Sequence, residues 1–165
     1  MPAPTLHMLC GKIASGKSTV AAALAAKPGT VRISEDEWLN ALYDAEMATL
    51  ADFVRCSARL RTAMGPHVAA LLNAGLSVVL DFQANTLEAR IWMRGILDET
   101  GAAHRLHVMT TPDETCLARL RARNAASTHP FAPTEEQFHR MSAHFAAPTE
   151  AEGFDIVLHG PGGPA

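Results

Sequence analysis

Residues 6–20 read LHMLCGKIASGKSTV, and three signals follow one another along that stretch. A short apolar run, Leu6 to Cys10, suits a strand buried on both faces. It ends at Gly11 and passes into GKIASGKST, an unbroken G-x-x-x-x-G-K-[ST] spacing. From Lys17 onward the alanine-rich TVAAALAA favours helix, and Pro28-Gly29 closes it. Strand, glycine-rich turn and helix in that order make a phosphate-binding loop. Gly11 and Gly16 let the backbone turn tightly, so that successive N–H groups face a phosphate. The helix N-terminus adds the positive end of its dipole. Lys17 is placed to reach the β- and γ-phosphates of ATP, and the Ser18 hydroxyl to ligate Mg²⁺. The expected nucleotide-binding set is Gly11, Lys12, Ile13, Ala14, Ser15, Gly16, Lys17, Ser18 and Thr19.

Working outward, Val31 to Ser34 reads as a second strand that delivers Glu35-Asp36-Glu37 to its C-terminal end. A long helical stretch from about Glu35 to Ala74 follows, with breaks expected near Thr49 and at Gly65-Pro66. Gly75 closes it ahead of Leu76 to Asp81, the clearest strand in the chain. Thr86 to Thr100 reads as helix, Arg105 to Met109 as strand, and a helix opens at Pro112 and runs to about Asn124. Residues 125–133 read as a loop. Thr134 with Gln137 forms a capping box for a helix to about Phe145, and Phe154 to Leu158 is the last strand. Strands alternating with helices imply an α/β fold of three layers, with a five-stranded parallel sheet, helices on both faces and a helical lid. No repeat or boundary divides it, so residues 1–160 are expected to form one domain and 161–165 a flexible tail.

A length of 165 residues with 48% hydrophobic and 19% charged residues is an ordinary globular balance. The net charge of −3 argues against non-specific nucleic-acid or anionic-membrane binding. Cys10, Cys56 and Cys116 are odd in number and lack a CxxC, which argues against a disulfide framework or zinc site and for a cytoplasmic setting. The histidines show no metal-ligand spacing, and no apolar run is long enough to span a membrane. An NKxD guanine-reading motif is missing, as is an LSGGQ signature, so a compact kinase is the economical reading of the loop.

A kinase needs a carboxylate to orient the acceptor hydroxyl and take its proton. Asp36 stands at a suitable strand end for that role, with Glu35 as the alternative, although an acidic triplet also suits a helix start. Asp81 closes the strand SVVLD, where a carboxylate reaches Mg²⁺ or the acceptor. Asn85 and Arg90 face either the ligands or solvent. Arg119 and Arg123 lie four residues apart, on one helical face, and suit stabilisation of the transferred phosphoryl group; Arg121 points elsewhere. Of Arg55, Arg59 and Arg61, one suits an anionic substrate, though the surface is the ordinary place for each. The catalytic set is therefore Asp36, Lys17, Arg119 and Arg123, with Ser18 and Asp81 as metal ligands.

The combination GKIASGKST, ISEDEW, VVLDFQANTLEAR and CLARLRARN resembles the small kinase-like P-loop proteins of the AAA-domain type, across about residues 5–158. That group is similar to polynucleotide 5′-hydroxyl kinase and, more distantly, to chloramphenicol phosphotransferase, zeta toxins and gluconate kinase. The resemblance implies a five-stranded parallel core, ATP as donor and a hydroxyl acceptor. It also implies Asp36 as general base, Asp81 as the acid after the third strand, and Arg119 and Arg123 as lid residues. The polynucleotide kinase pattern has an arginine three residues after the base, where this chain has Leu39. That departure points away from nucleic acid and toward a small-molecule acceptor, a neutral or cationic metabolite or an antibiotic. An ATP-binding regulatory module with little turnover, or a toxin-like kinase of a sugar-nucleotide precursor, stands as the alternative. A monomer or homodimer is expected.

Overall fold

The computed structural model describes residues 3–126 and 133–160. The expected tail at 161–165 and most of the expected loop at 125–133 lie outside the described residues. Five strands are present: β1 (Thr5–Cys10), β2 (Thr30–Ser34), β3 (Ser77–Gln83), β4 (Ala103–Met109) and β5 (Ile156–His159). The helices are α1 (Lys17–Ala25), α2 (Glu35–Tyr43), α3 (Leu50–Asn73), α4 (Leu87–Thr100), α5 (Asp113–Ala126) and α6 (Glu135–Ser142). All strand pairs are parallel, in the order β2-β3-β1-β4-β5. The strand carrying the loop motif is therefore central, and its C-terminal end is flanked by those of β3 and β4.

Alternation sorts the strand residues onto two covered faces. Leu6, Met8, Cys10, Val78, Leu80 and Phe82 join residues of α3 and α4, such as Leu60, Val68 and Met93, in the larger core. Leu9, Val79 and Met109 pack against Val20 and Ala21 of α1 on the other face. Burial on both sides explains why β1 and β3 read as nearly continuous apolar runs. A third, small cluster of Cys116, Leu120 and Phe138 joins α5 to α6 and rests on Ile13 and Ala14 of the loop.

Thr49 caps α3 in a full capping box with Asp52, so the break expected there is real. The break expected at Gly65-Pro66 is not. The helix α3 runs through Pro66 without interruption. Proline clashes chiefly with the Cβ and N–H of the residue before it, and Gly65 has no Cβ. The same glycine brings the backbone close to Trp92 of α4, whose Nε1 lies 3.5 Å from where a Cβ would stand. Packing against α4 thus holds together a helix that local propensity interrupts.

Strand β3 extends two residues beyond the expected end at Asp81, and its pairing with β1 slips there. Met8 pairs with Leu80, but Leu9 pairs with Gln83. On its other side Asp81 stays in register with Ser34 of β2. An irregularity of this kind re-aims side chains at a strand's end. The two strands stay bonded beyond it, the Ala84 N–H donating to the Leu9 carbonyl at 2.9 Å, just where the loop leaves the sheet.

Candidate functional site

The loop between β1 and α1 is held from behind. The Asn85 side chain, in the β3–α4 turn, accepts from the Gly11 N–H at 2.8 Å and donates to the Gly11 carbonyl at 2.8 Å. Thr111 Oγ1 donates to the Ser15 carbonyl at 2.8 Å. Gly11 admits no side chain, because a Cβ would sit 2.5 Å from Ser15 Oγ and 2.8 Å from Met109. Gly16 has φ 108° and precedes α1 with no side-chain cap, and Ala14 is left-handed at φ 60°. The Ser15 hydroxyl is buried and has no hydrogen-bond partner among the described residues. An uncapped helix N-terminus, an orphaned hydroxyl and a loop closed to any Cβ at Gly11 together fit a bound phosphate.

Lys17 Nζ donates to the carbonyls of Gly11 and Lys12, the latter at 2.9 Å. Burial lowers its ammonium to about 8, against the pull of Asp81 and, more weakly, of Asp36. Asp81 is itself held by Arg32 at 2.8 Å. Alternation puts Asp81 on the same sheet face as Val79, the face covered by α1, whose first turn carries Ser18. Ser18 and Thr19 are exposed.

Ser34 caps α2 by accepting from the Glu37 N–H, which sets the acidic triplet on the first turn. Its members face different ways. Glu35 is buried and accepts a hydrogen bond from Ser57 of α3 at 2.8 Å. Asp36 stays at the surface of the cleft. Lost hydration and the charge of Asp81 raise its carboxyl, while Lys17 works the other way. Asp36, Asp81 and Lys17 therefore share one electrostatic neighbourhood, at the ends of β2, β3 and β1. Leu39, by contrast, is buried in the core at 2% exposure. That position does not face the cleft, so its side chain says nothing about the acceptor's charge.

From the lid, Arg119 Nη1 donates to the Ala14 carbonyl at 3.4 Å and lies 3.9 Å from a Cβ built on Gly16. Arg123 follows one turn later and is partly buried. Arg121 points away and pairs with Glu135 of α6. Lys12 pairs with Asp113 at 2.8 Å and lies over the Phe145 ring. A cavity of about 180 Å³ opens between the loop and the lid, lined by Lys12, Ile13, Gln83, Asn85, Met141 and Phe145.

Arg90 contacts neither cleft nor solvent. At 2% exposure it pairs with Glu152 and donates to the carbonyls of Ala84 and Ala146, tying the β3–α4 turn to the segment after the lid. The clamp by Asn85 and the support from Thr111 escape sequence reasoning, because each joins residues more than 70 positions apart.

Residues 6–148 match the AAA domain family. The chain belongs to that family. No curated protein matches this AAA-domain chain in sequence. Among solved structures it is similar to a candidate kinase from Chloroflexus aurantiacus j-10-fl, at TM-score 0.75 and 17% identity over 97% of this chain and 86% of that one. It is also similar to the Mycobacterium tuberculosis APS kinase CysC in complex with AMPPNP and APS, at TM-score 0.64 and 19% identity over 98% and 91% of the two chains. A sugar kinase from Janibacter sp. HTCC2649 is similar at TM-score 0.64 and 16% identity, over 97% and 86%. These likenesses establish the P-loop fold. No helix among the described residues is long and apolar enough to cross a membrane.

Proposed function

We propose that this AAA-domain protein moves the γ-phosphate of Mg-ATP to a hydroxyl of a small-molecule acceptor. The observation that carries the reading is the meeting of Lys17, Asp81 and Asp36 at the ends of three adjacent strands. Similar folds in an APS kinase and a sugar kinase support a small acceptor. A cytoplasmic setting agrees with three free, buried cysteines.

In this reading the N–H groups of residues 11–18 hold the β-phosphate, and Lys17 leaves its loop carbonyls to reach the β- and γ-phosphates. Ser18 and Asp81 would hold Mg²⁺, which would neutralise phosphate charge when bound. Asp36 orients the acceptor hydroxyl and takes its proton as the acceptor oxygen bonds to the γ-phosphorus. The bond from that phosphorus to the β–γ bridging oxygen breaks, and ADP leaves. A carboxyl raised above its ordinary range is a stronger base for this step. Arg119 already touches the loop and Arg123 lies on the same helical face, so lid closure brings both to the charge on the transferred group.

The test is an ADP-release screen against hydroxyl metabolites and against aminoglycoside- and chloramphenicol-like antibiotics. The reading requires at least one acceptor that raises ADP release and gains a phosphate by mass. ATP binding with no acceptor-dependent release across such a panel would contradict it.

A further inference from the structure

Behind Asp36 lies a cation that is ion-paired within the fold but whose hydrogen-bond donors the described residues leave unused. Arg61 of α3 is three-quarters enclosed, with 25% of its side chain exposed. Its Nε is fully buried and makes no hydrogen bond; it forms an ion pair at 3.8 Å with Glu35 Oε2, an oxygen that already receives the Ser57 hydroxyl. Among the described residues none accepts a hydrogen bond from this guanidinium. Its plane is held over the Trp92 ring, 5.6 Å from the centroid, and Trp92 packs in turn on Phe82 of β3. The group is thus fixed in position by the ion pair and the ring, while its Nη donors, which are not buried, make no hydrogen bond to the described residues and stay open to a ligand.

Its location says what fills them. Glu35 lies within electrostatic reach of Arg61, Asp36 and Asp81 alike, so Arg61 stands near the carboxyl edge of the sheet, where α/β folds bind ligands. Other arginines near this edge are engaged, Arg32 by Asp81 and Arg55 by Asp52. An acceptor entering beside Asp36 and Asp81 meets mostly negative charge. A substrate with an oxyanion of its own needs one fixed counter-charge there, and a planar guanidinium matches carboxylate or phosphate oxygens two at a time.

The geometry points to Arg61 as the specificity-determining residue of the acceptor site, holding a carboxylate or phosphate group of a small hydroxyl compound. This rests on the kinase reading of Asp36. It replaces the neutral or cationic acceptor expected from Leu39, a residue that lies in the core.

The test uses a matched three-carbon set: D-glycerate, glycerol 3-phosphate and glycerol. The protein is saturated with Mg-AMPPNP, so that the phosphate loop is filled. The ¹⁵N–¹H signal of Arg61 Nε, assigned by its loss in Arg61→Gln, is followed on titration with each compound. The expected result is a saturable shift with D-glycerate or glycerol 3-phosphate and none with glycerol; which anion acts separates a carboxylate site from a phosphate site. Arg61→Gln should weaken that binding at least tenfold and leave AMPPNP affinity unchanged, and Arg61→Lys, which keeps charge but loses the fork, should fall between. Equal shifts with glycerol, no shift with either anion, or undiminished anion binding in a folded Arg61→Gln would overturn the inference. With ATP in place of AMPPNP, anion binding without phosphoryl transfer to any compound of the hydroxyl panel would leave it standing and refute the kinase reading. Transfer to glycerol as efficient as to the anions would do the reverse.

Discussion

Replacing Asn85 by alanine tests whether the phosphate loop is shaped before any ligand arrives. The substitution removes both 2.8 Å hydrogen bonds that clamp the Gly11 peptide. The Gly11 carbonyl keeps Lys17 as a donor, but its N–H, in a buried residue, is left with none. An orphaned buried donor costs about 1–3 kcal/mol and the second lost bond about 1, so a loss of about 2–4 kcal/mol is expected. For a chain of this size that corresponds to a fall in Tm of about 4–16 °C. A loosened loop must also be re-ordered by its ligand. If that costs about 1 kcal/mol, the Kd for Mg-AMPPNP rises about fivefold. Differential scanning calorimetry and isothermal titration read the two effects separately. Asn85→Asp sharpens the test. It keeps the acceptor for the Gly11 N–H, so stability suffers less, but it sets a negative charge beside the phosphates, so affinity suffers more. An alanine variant with unchanged Tm and unchanged Kd would refute the reasoning.

Gly11→Ala forces a methyl to within 3 Å of Ser15 Oγ and Met109; Mg-AMPPNP binding should fall more than tenfold, and near-normal affinity would show that the loop yields freely. Asp36 is raised by burial and by Asp81, so the acid limb of kcat/KM should lie above the ordinary aspartate range. In the nucleotide-free protein, Asp81→Asn removes a like charge and should move the ¹³C-detected titration of Asp36 downward; an upward movement contradicts the shared neighbourhood. His7, His107 and His159 form a hydrogen-bonded string across β1, β4 and β5, and burial holds His7 and His107 near 4. The unfolded chain takes up these protons near 6.5, so the stability gained by keeping the rings neutral is complete above that pH and drains as pH falls toward 4. Tm should drop across that window, and less steeply in His107→Phe; an equally steep drop in the variant counts against the string.

What the sequence disclosed, it disclosed through local patterns. The loop motif, the apolar strands, the break near Thr49 and the capping box at Thr134 each act within a few positions, and each is found where the pattern put it. The parallel sheet followed from strand–helix alternation, whereas its order depends on long-range pairing. Local reasoning failed where tertiary contacts override it. Pro66 continues a helix because Gly65 spares it a clash and α4 packs alongside. Arg90, at the charged start of a helix, is drawn inward by Glu152 and two distant carbonyls. Leu39 occupies the position three after Asp36, but its side chain lies in the core. At the candidate site the structure brings together Lys17, Asp36, Asp81 and Arg119, which the sequence had singled out, whereas nothing local marked Asn85 as a clamp or distinguished Arg61 from Arg55 and Arg59.

The central claim is that Asp36 accepts the acceptor's proton while Lys17 and the loop bind the nucleotide. The most direct measurement compares wild type with Asp36→Asn, using calorimetry for Mg-AMPPNP and steady-state transfer to an acceptor identified by the ADP-release screen. The substitution keeps shape and removes the basic oxygen. The account predicts nucleotide affinity within about twofold of wild type and a fall in kcat/KM of about a hundredfold or more. Transfer at the wild-type rate by the Asp36→Asn variant would contradict it.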